Sequence, residues 1–274
     1  MLDPSAVRVG DSLVDEVVEH RAEILVARRA SAGKDLLPVL VPRDLDLDAT
    51  TSVVAAVGSG PHSELAAMVA AAIGDALGVH ARMVCAYDEA SGEARVRAEA
   101  TIAHIGELVM GLDASTIHFD DVPGLLEGEG DGTLLVLGAP GGSFLQRQFL
   151  GTGARLIASA PVGAVVVRDA PGRVFQVMGE PEWLGRHLPA TEAARLHERT
   201  ALPVVDQGVV VGTVLQRDLL AAADGTPVED VMGAPSLVSA TDLLLEAKAS
   251  VSDHDVPVVH RERLVGLLSP SVMG

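Results

Sequence analysis

Aromatic side chains are nearly missing: they make up 2% of the 274 residues, with one Trp and one Tyr. Cores must therefore come from Val, Leu, Ile and Ala, within the 48% of the chain that is hydrophobic. Aliphatic strands and Ala-rich helices suit buried parallel sheets covered by helices. Positive charge is scarce as well, with 20 Lys and Arg against 38 Asp and Glu and a formal charge of −18. Without a basic field or stacking platforms, both ingredients of nucleic-acid binding are lacking. Without basic runs, nothing holds the chain to an anionic membrane. Small anionic ligands stay open, because backbone N–H groups can bind phosphate locally. No apolar run reaches the roughly 20 residues of a membrane-spanning helix, and residues 1–10 show no apolar signal core. The single cysteine, Cys85, excludes an intrachain disulfide and, in a strand-like run, reads as an inert buried thiol. The expectation is a cytoplasmic protein with no nucleic-acid or membrane partner.

What is present is a duplication. Shifted by 54 residues, Val177, Met178, Gly179 and Pro181 fall on Val231, Met232, Gly233 and Pro235. In the same register Glu192 and Ala193 fall on Glu246 and Ala247, Pro203–Val205 on Pro257–Val259, and Gly212 on Gly266. Four blocks in one register, with no gap, place two copies over 174–225 and 226–274. Each copy predicts a helix (191–199, 242–251) and then two strands (201–206 and 209–215; 255–259 and 264–269). Asp206-Gln207-Gly208 supplies the first hairpin turn and 260–263 the second. A unit of about 50 residues buries too little surface to be comfortable alone, so the two copies should pack together.

The entry Val-Met-Gly-x-Pro, the Pro-Val-Val strand and the strand-to-helix turn that starts at Gly212 resemble a cystathionine-β-synthase (CBS) domain pair. That resemblance implies an adenosine derivative (AMP, ADP or S-adenosylmethionine) in the cleft between copies. It further implies a turn hydroxyl and helix N-terminus facing phosphate and an Asp holding the ribose hydroxyls. Carried onto this chain, Asp218 is the ribose carboxylate and Ser269 the hydroxyl. Leu215 stands where the first copy would have its hydroxyl, and Val272 where the second would have its carboxylate. Asp218 read as a helix N-cap, and Ser269 as a turn or cap hydroxyl, are the alternatives.

From 52 to 169, apolar strands (53–57, 81–87, 115–119, 133–137, 163–167) alternate with helices (63–77, 93–110, 151–160), the pattern of a parallel α/β sheet. Ligands of such sheets sit at the carboxyl ends of the strands. There, Gly138-Ala139-Pro140-Gly141-Gly142 opens a loop that runs to Gly151-Thr152 and a helix. Glycines admit close phosphate approach, and the helix N-terminus adds partial positive charge. Gly138, Gly141, Gly151 and Thr152, with Gly142 beside them, fit the phosphate pattern of nucleotide-binding universal stress proteins, and the terminal PVGAVVVR strand is similar too. The fold class expected is therefore a Rossmann-like α/β domain of universal stress protein type over 51–170, followed by a CBS pair. The resemblance implies ATP, with Mg as its counterion, and a homodimer. Gly58 stands where nucleotide-binding members usually have Asp, and Gly153 follows Thr152. The alternative is that the glycines merely shape a turn.

Residues 1–50 read as helix (11–22), strand (23–27) and strand (37–41). They are either a degenerate partial stress-protein unit or an extension that adds edge strands. The chain has no Gly-x-x-x-x-Gly-Lys-Ser/Thr, so a P-loop is not expected. His104-Ile105-Gly106 lies within a helix, Ser63 reads as a helix cap beside Ser59 and His62, and His118 with Asp120 and Asp121 as a polar strand end. Trp183 is expected to pack at a domain junction or on the first repeat. Together these readings predict a non-catalytic, nucleotide-binding regulator; a slow ATP hydrolase and a ligand-free interaction protein are the alternatives.

Overall fold

The computed structural model describes residues 11–28, 36–87, 92–118, 130–139, 157–251 and 253–273. They form two compact units, one of residues 24–170 and one of 11–23 with 171–273. The chain opens with α1 (Asp11–Glu19), which belongs to the second unit.

In the first unit, β3 (Ser52–Val57), β4 (His80–Tyr87), β5 (Asp113–His118), β6 (Thr133–Gly138) and β7 (Ala164–Arg168) are parallel. Ahead of them in sequence, β1 (Leu25–Val26) and β2 (Val39–Arg43) extend one edge, giving the order β1-β2-β7-β6-β3-β4-β5. β2 runs antiparallel to β7 and β1 parallel to β2. Thr133–Leu137 is buried at every position, as a parallel strand covered on both faces must be. α2 (Ser63–Leu77) buries Leu65, Ala66, Val69 and Ala70 on this sheet and ends at Gly78 in the left-handed conformation. Gly74 lets α2 lie against β4, since a Cβ there would stand 2.7 Å from that of Ala81. α3 (Gly92–Leu108) follows β4 and encloses His104. Among the described residues, no helix is long and apolar enough to cross a membrane.

In the second unit the sequence register becomes a symmetric architecture. The first copy contributes α4 (Val174–Val177), β8 (Leu184–Gly185), α5 (Ala190–Leu196), β9 (Ala201–Asp206), β10 (Val209–Leu215) and α6 (Gln216–Ala221). The second contributes β11 (Val238–Ser239), α7 (Leu244–Ala247), β12 (Val256–His260) and β13 (Arg263–Leu268). One sheet, β11-β12-β13-β10-β9-β8, reads the same from either end. Both hairpins turn through two left-handed residues, Gln207-Gly208 and, 54 later, Arg261-Glu262.

The entry segments are exchanged. Gly179 of the first entry bonds Leu267 in β13, and Gly233 of the second entry bonds Thr213 in β10, each through a pair of backbone hydrogen bonds. Likewise the Phe175 N–H donates to Ala240 O at 2.9 Å and the Glu229 N–H to Arg186 O at 3.0 Å. This exchange explains the two matched glycines. A Cβ on Gly266 would stand 2.7 Å from Gly179 O and 2.8 Å from Met178 Sδ, and one on Gly212 would strike Met232. Neither copy is complete without the other's entry.

Two local readings are corrected, and that of Trp183 is met in part. The second-copy helix shortens to α7 plus a 3-10 turn at Lys248–Ser250. Ser63 does not cap α2: its buried hydroxyl accepts the Gly58 N–H at 3.0 Å. Trp183 is 53% exposed, beside Val205 and Leu264. One association had no sequence signal. α1 buries Leu13, Val17 and Val18 in the second unit, and Asp15 bonds His260 at 2.7 Å and Arg261 at 2.9 Å. Just beyond it, Arg21 reaches Glu180 at 3.1 Å and Gly179 O at 3.4 Å.

Candidate functional sites

The parallel sheet reverses its strand order between β3 and β6, the switch point at which open α/β sheets take ligands. Gly58 follows β3 and Gly138 ends β6, and the strands pair in register up to Ala56 and Leu137, so these two predicted residues meet there. A side chain at Gly58 would find nothing within 4 Å. At Gly138 a Cβ would stand 3.1 Å from that of His62, so packing alone already favours a small residue. Gly141, Gly142, Gly151 and Thr152 lie outside the described residues, as do Asp120 and Asp121.

A cleft of about 390 Å³ opens beside Gly58, lined by Glu64, Arg97, Thr101 and His104. His104 bonds Glu64 at 3.2 Å, and the Arg97 Nε–H donates to Glu93 O at 3.4 Å. Arg97 and Thr101 were not singled out in the sequence, although their three- and four-residue spacing with His104 puts all three on one face of α3. Burial holds the Cys85 thiol above its usual pKa, which keeps it protonated and unreactive.

His62 Nδ1 accepts the Asp169 N–H at 3.0 Å. Burial first, and then Arg168, hold its pKa below the ordinary 6.5. With its folded pKa below 6.5, His62 contributes stability that is complete above pH 6.5 and is lost as pH falls from there through the lower, folded value. Between about pH 7.5 and 5.5 the wild type should lose more unfolding free energy than His62→Gln, measured in urea with Tyr87 fluorescence. Equal losses would remove His62 from the pH dependence.

In the second unit, β10 ends at Leu215 and α6 starts at once, which puts Asp218 in the first helical turn. Asp218 lines a cleft of about 220 Å³ with Thr213, Ser236, His254 and Asp255. The cap of α6 is Leu215, with no side-chain hydrogen bond, so Asp218 does not serve as N-cap. Its half-exposed carboxylate lies 3.7 Å from Arg217. Thr213 Oγ1 is buried with no hydrogen-bond partner. Arg199 binds Asp255 at 2.5 Å and Glu182 through two N–H groups at 2.9 and 2.7 Å. These bonds hold the Glu182 carboxyl below, and the Arg199 guanidinium above, their usual pKa values.

Ser269 Oγ lies 3.1 Å from Ser271 Oγ, at the register position of Leu215. The structure therefore brings Gly58 near Gly138, but leaves Asp218 and Ser269 on different copies. Ser236, His254 and Asp255 went unnoticed in the sequence. Ser236 comes to Asp218 with the second entry, which crosses onto the first hairpin, and His254 and Asp255 come with β12 through the joint sheet.

Residues 167–225 match the family model of the CBS domain. Similar solved structures include the CBS domains of a transcriptional regulator from Streptococcus pneumoniae, at 23% identity over 34% of this chain and 90% of that one, TM-score 0.31. A universal stress protein in complex with cAMP is similar at 17% identity, 44% and 99% coverage and TM-score 0.36. That of Archaeoglobus fulgidus gives 18%, 43%, 98% and 0.35. A search of curated proteins returns no match. The family match thus falls on the first repeat.

Proposed function

We propose that the protein is a non-catalytic regulator that binds an adenosine derivative in the cleft at Asp218 and ATP, with Mg, at the loop 138–152. The cleft at Asp218 carries the reading. A carboxylate there can accept two ribose hydroxyl protons, and Thr213, whose buried hydroxyl has no partner, lines the same space. The convergence of Gly58 and Gly138 on a switch point supports the second site. The protein acts as a cytoplasmic homodimer whose arrangement the ligand biases, by a coupling free energy of typically about 1–3 kcal/mol.

Thermal unfolding of the full chain with adenosine, AMP, ADP, ATP and S-adenosylmethionine tests this. A ligand at about 100 times its Kd should add about 2.7 kcal/mol. Gly141→Asp should remove the ATP effect and Asp218→Ala the effect of the cleft ligand. If no ligand shifts the transition, a ligand-free interaction protein replaces the sensor, consistent with Leu215 and Val272 at the two altered positions. Steady phosphate release that Gly141→Asp abolishes would make it an ATP hydrolase.

A further inference from the structure

The two copies offer two register-related ligand positions, and their linings differ sharply. Where the cleft at Asp218 has Ala234, Ser236 and Asp218, the position 54 residues away has Glu180, Glu182 and Val272. Glu180 is occupied by Arg21 at 3.1 Å, and Glu182 by Arg199 at 2.7 Å. Two ion pairs thus stand where the other cleft has a methyl and a hydroxyl. The Thr213 equivalent, Leu267, is buried and brings no polar group. The second position thus carries ion pairs of the protein's own, one of them delivered from just beyond α1, and Val272 in place of a carboxylate.

The cleft at Asp218 is built for a ligand of particular charge. Among the described residues its lining holds two carboxylates, Asp218 and Asp255, and neither Lys nor Arg. The nearby guanidiniums are engaged: Arg199 by Glu182 and Asp255, and Arg217, largely exposed, by Asp218. Three carboxylates against two guanidiniums leave an excess negative charge beside the ligand, and His254, also in the lining, is paired with a further carboxylate, Asp253. The turn that would face a phosphate offers Leu215 in place of a hydroxyl, and α6 is only six residues long.

We infer that the repeat pair binds one nucleoside per chain, neutral or positively charged and without a phosphate group, in the cleft at Asp218. Asp218 takes the sugar hydroxyls, while the related position, with Val272 and Leu267 where this cleft has Asp218 and Thr213, lacks the groups to take a second nucleoside. This rests on the reading of that cleft as an adenosine site.

Calorimetric titration of the full chain decides it, with adenosine, S-adenosylmethionine, AMP and ATP as probes. Adenosine and S-adenosylmethionine should bind at one per chain, and Asp218→Ala should weaken both by roughly tenfold or more, the loss of a charged hydrogen bond. Asp218→Asn, which keeps the shape, should weaken them too, while circular dichroism of both variants matches the wild type. AMP should bind the cleft roughly tenfold more weakly than adenosine, because like charges repel across it. ATP bound elsewhere on the chain is recognised by its indifference to Asp218→Ala. AMP binding as tightly as adenosine and equally sensitive to Asp218→Ala would overturn the inference and leave the adenosine site standing. So would a second adenosine per chain. No binding by any nucleoside or nucleotide sensitive to Asp218 would remove the adenosine site and the inference together.

Discussion

Phe175→Ala is expected to destabilise the repeat unit by about 3–5 kcal/mol, the usual cost of removing a fully buried aromatic ring. Phe175 is completely buried, the largest side chain to be so among the described residues. It sits in the exchanged entry, with its N–H on Ala240 O of the other copy. A cavity there loosens the clamp between copies, so both hairpins should be lost in one step. The single Trp, Trp183, lies in this unit and the single Tyr, Tyr87, in the α/β unit. Urea unfolding should therefore show the Trp transition moved to lower denaturant and the Tyr transition in place. A Trp midpoint that stays with the wild type would mean that the entry is not part of the cooperative core.

The second large effect falls on the other unit. Gly163, at φ +95°, opens β7 and carries the turn against the end of β2. A Cβ there would strike the carbonyl oxygens of Arg43 and Asp44, which are backbone and cannot swing away. Gly163→Ala combines left-handed strain of roughly 1–2 kcal/mol with overpacking of roughly 1–3 kcal/mol, giving an expected loss of about 2–5 kcal/mol. Here the Tyr87 transition should move and that of Trp183 should hold. An unchanged Tyr87 midpoint would show that the β2–β7 edge yields at little cost.

Much of the fold was legible because the signals are local. Strands 201–206 and 209–215 fall where their apolar runs and the Asp-Gln-Gly turn put them, and α2 keeps its expected ends. The second-copy helix was over-extended, since three residues after Ala247 close as a 3-10 turn instead. Ser63 stands where a cap is expected, yet its hydroxyl accepts the amide N–H of Gly58, five residues back. The cleft was only half legible. Asp218 belongs to a turn with a recognisable pattern, whereas His254 and Asp255 lead into β12 of the other copy and reach it through the joint sheet, which no spacing encodes. α1 shows the same limit: Leu13, Val17 and Val18 announce an apolar face, but not the distant surface that covers it.

Residues 11–23 and 171–273 build one unit, and everything between them builds the other. During synthesis, then, the first helix waits. Asp15 and its partner His260 lie 245 residues apart. At about 5–20 residues per second, roughly 12–49 s pass before that partner exists. Leu13, Val17 and Val18 wait for the second unit, whose other residues begin only at 171. The α/β unit can be finished by then, but the repeat unit closes only when its last hairpin leaves the ribosome.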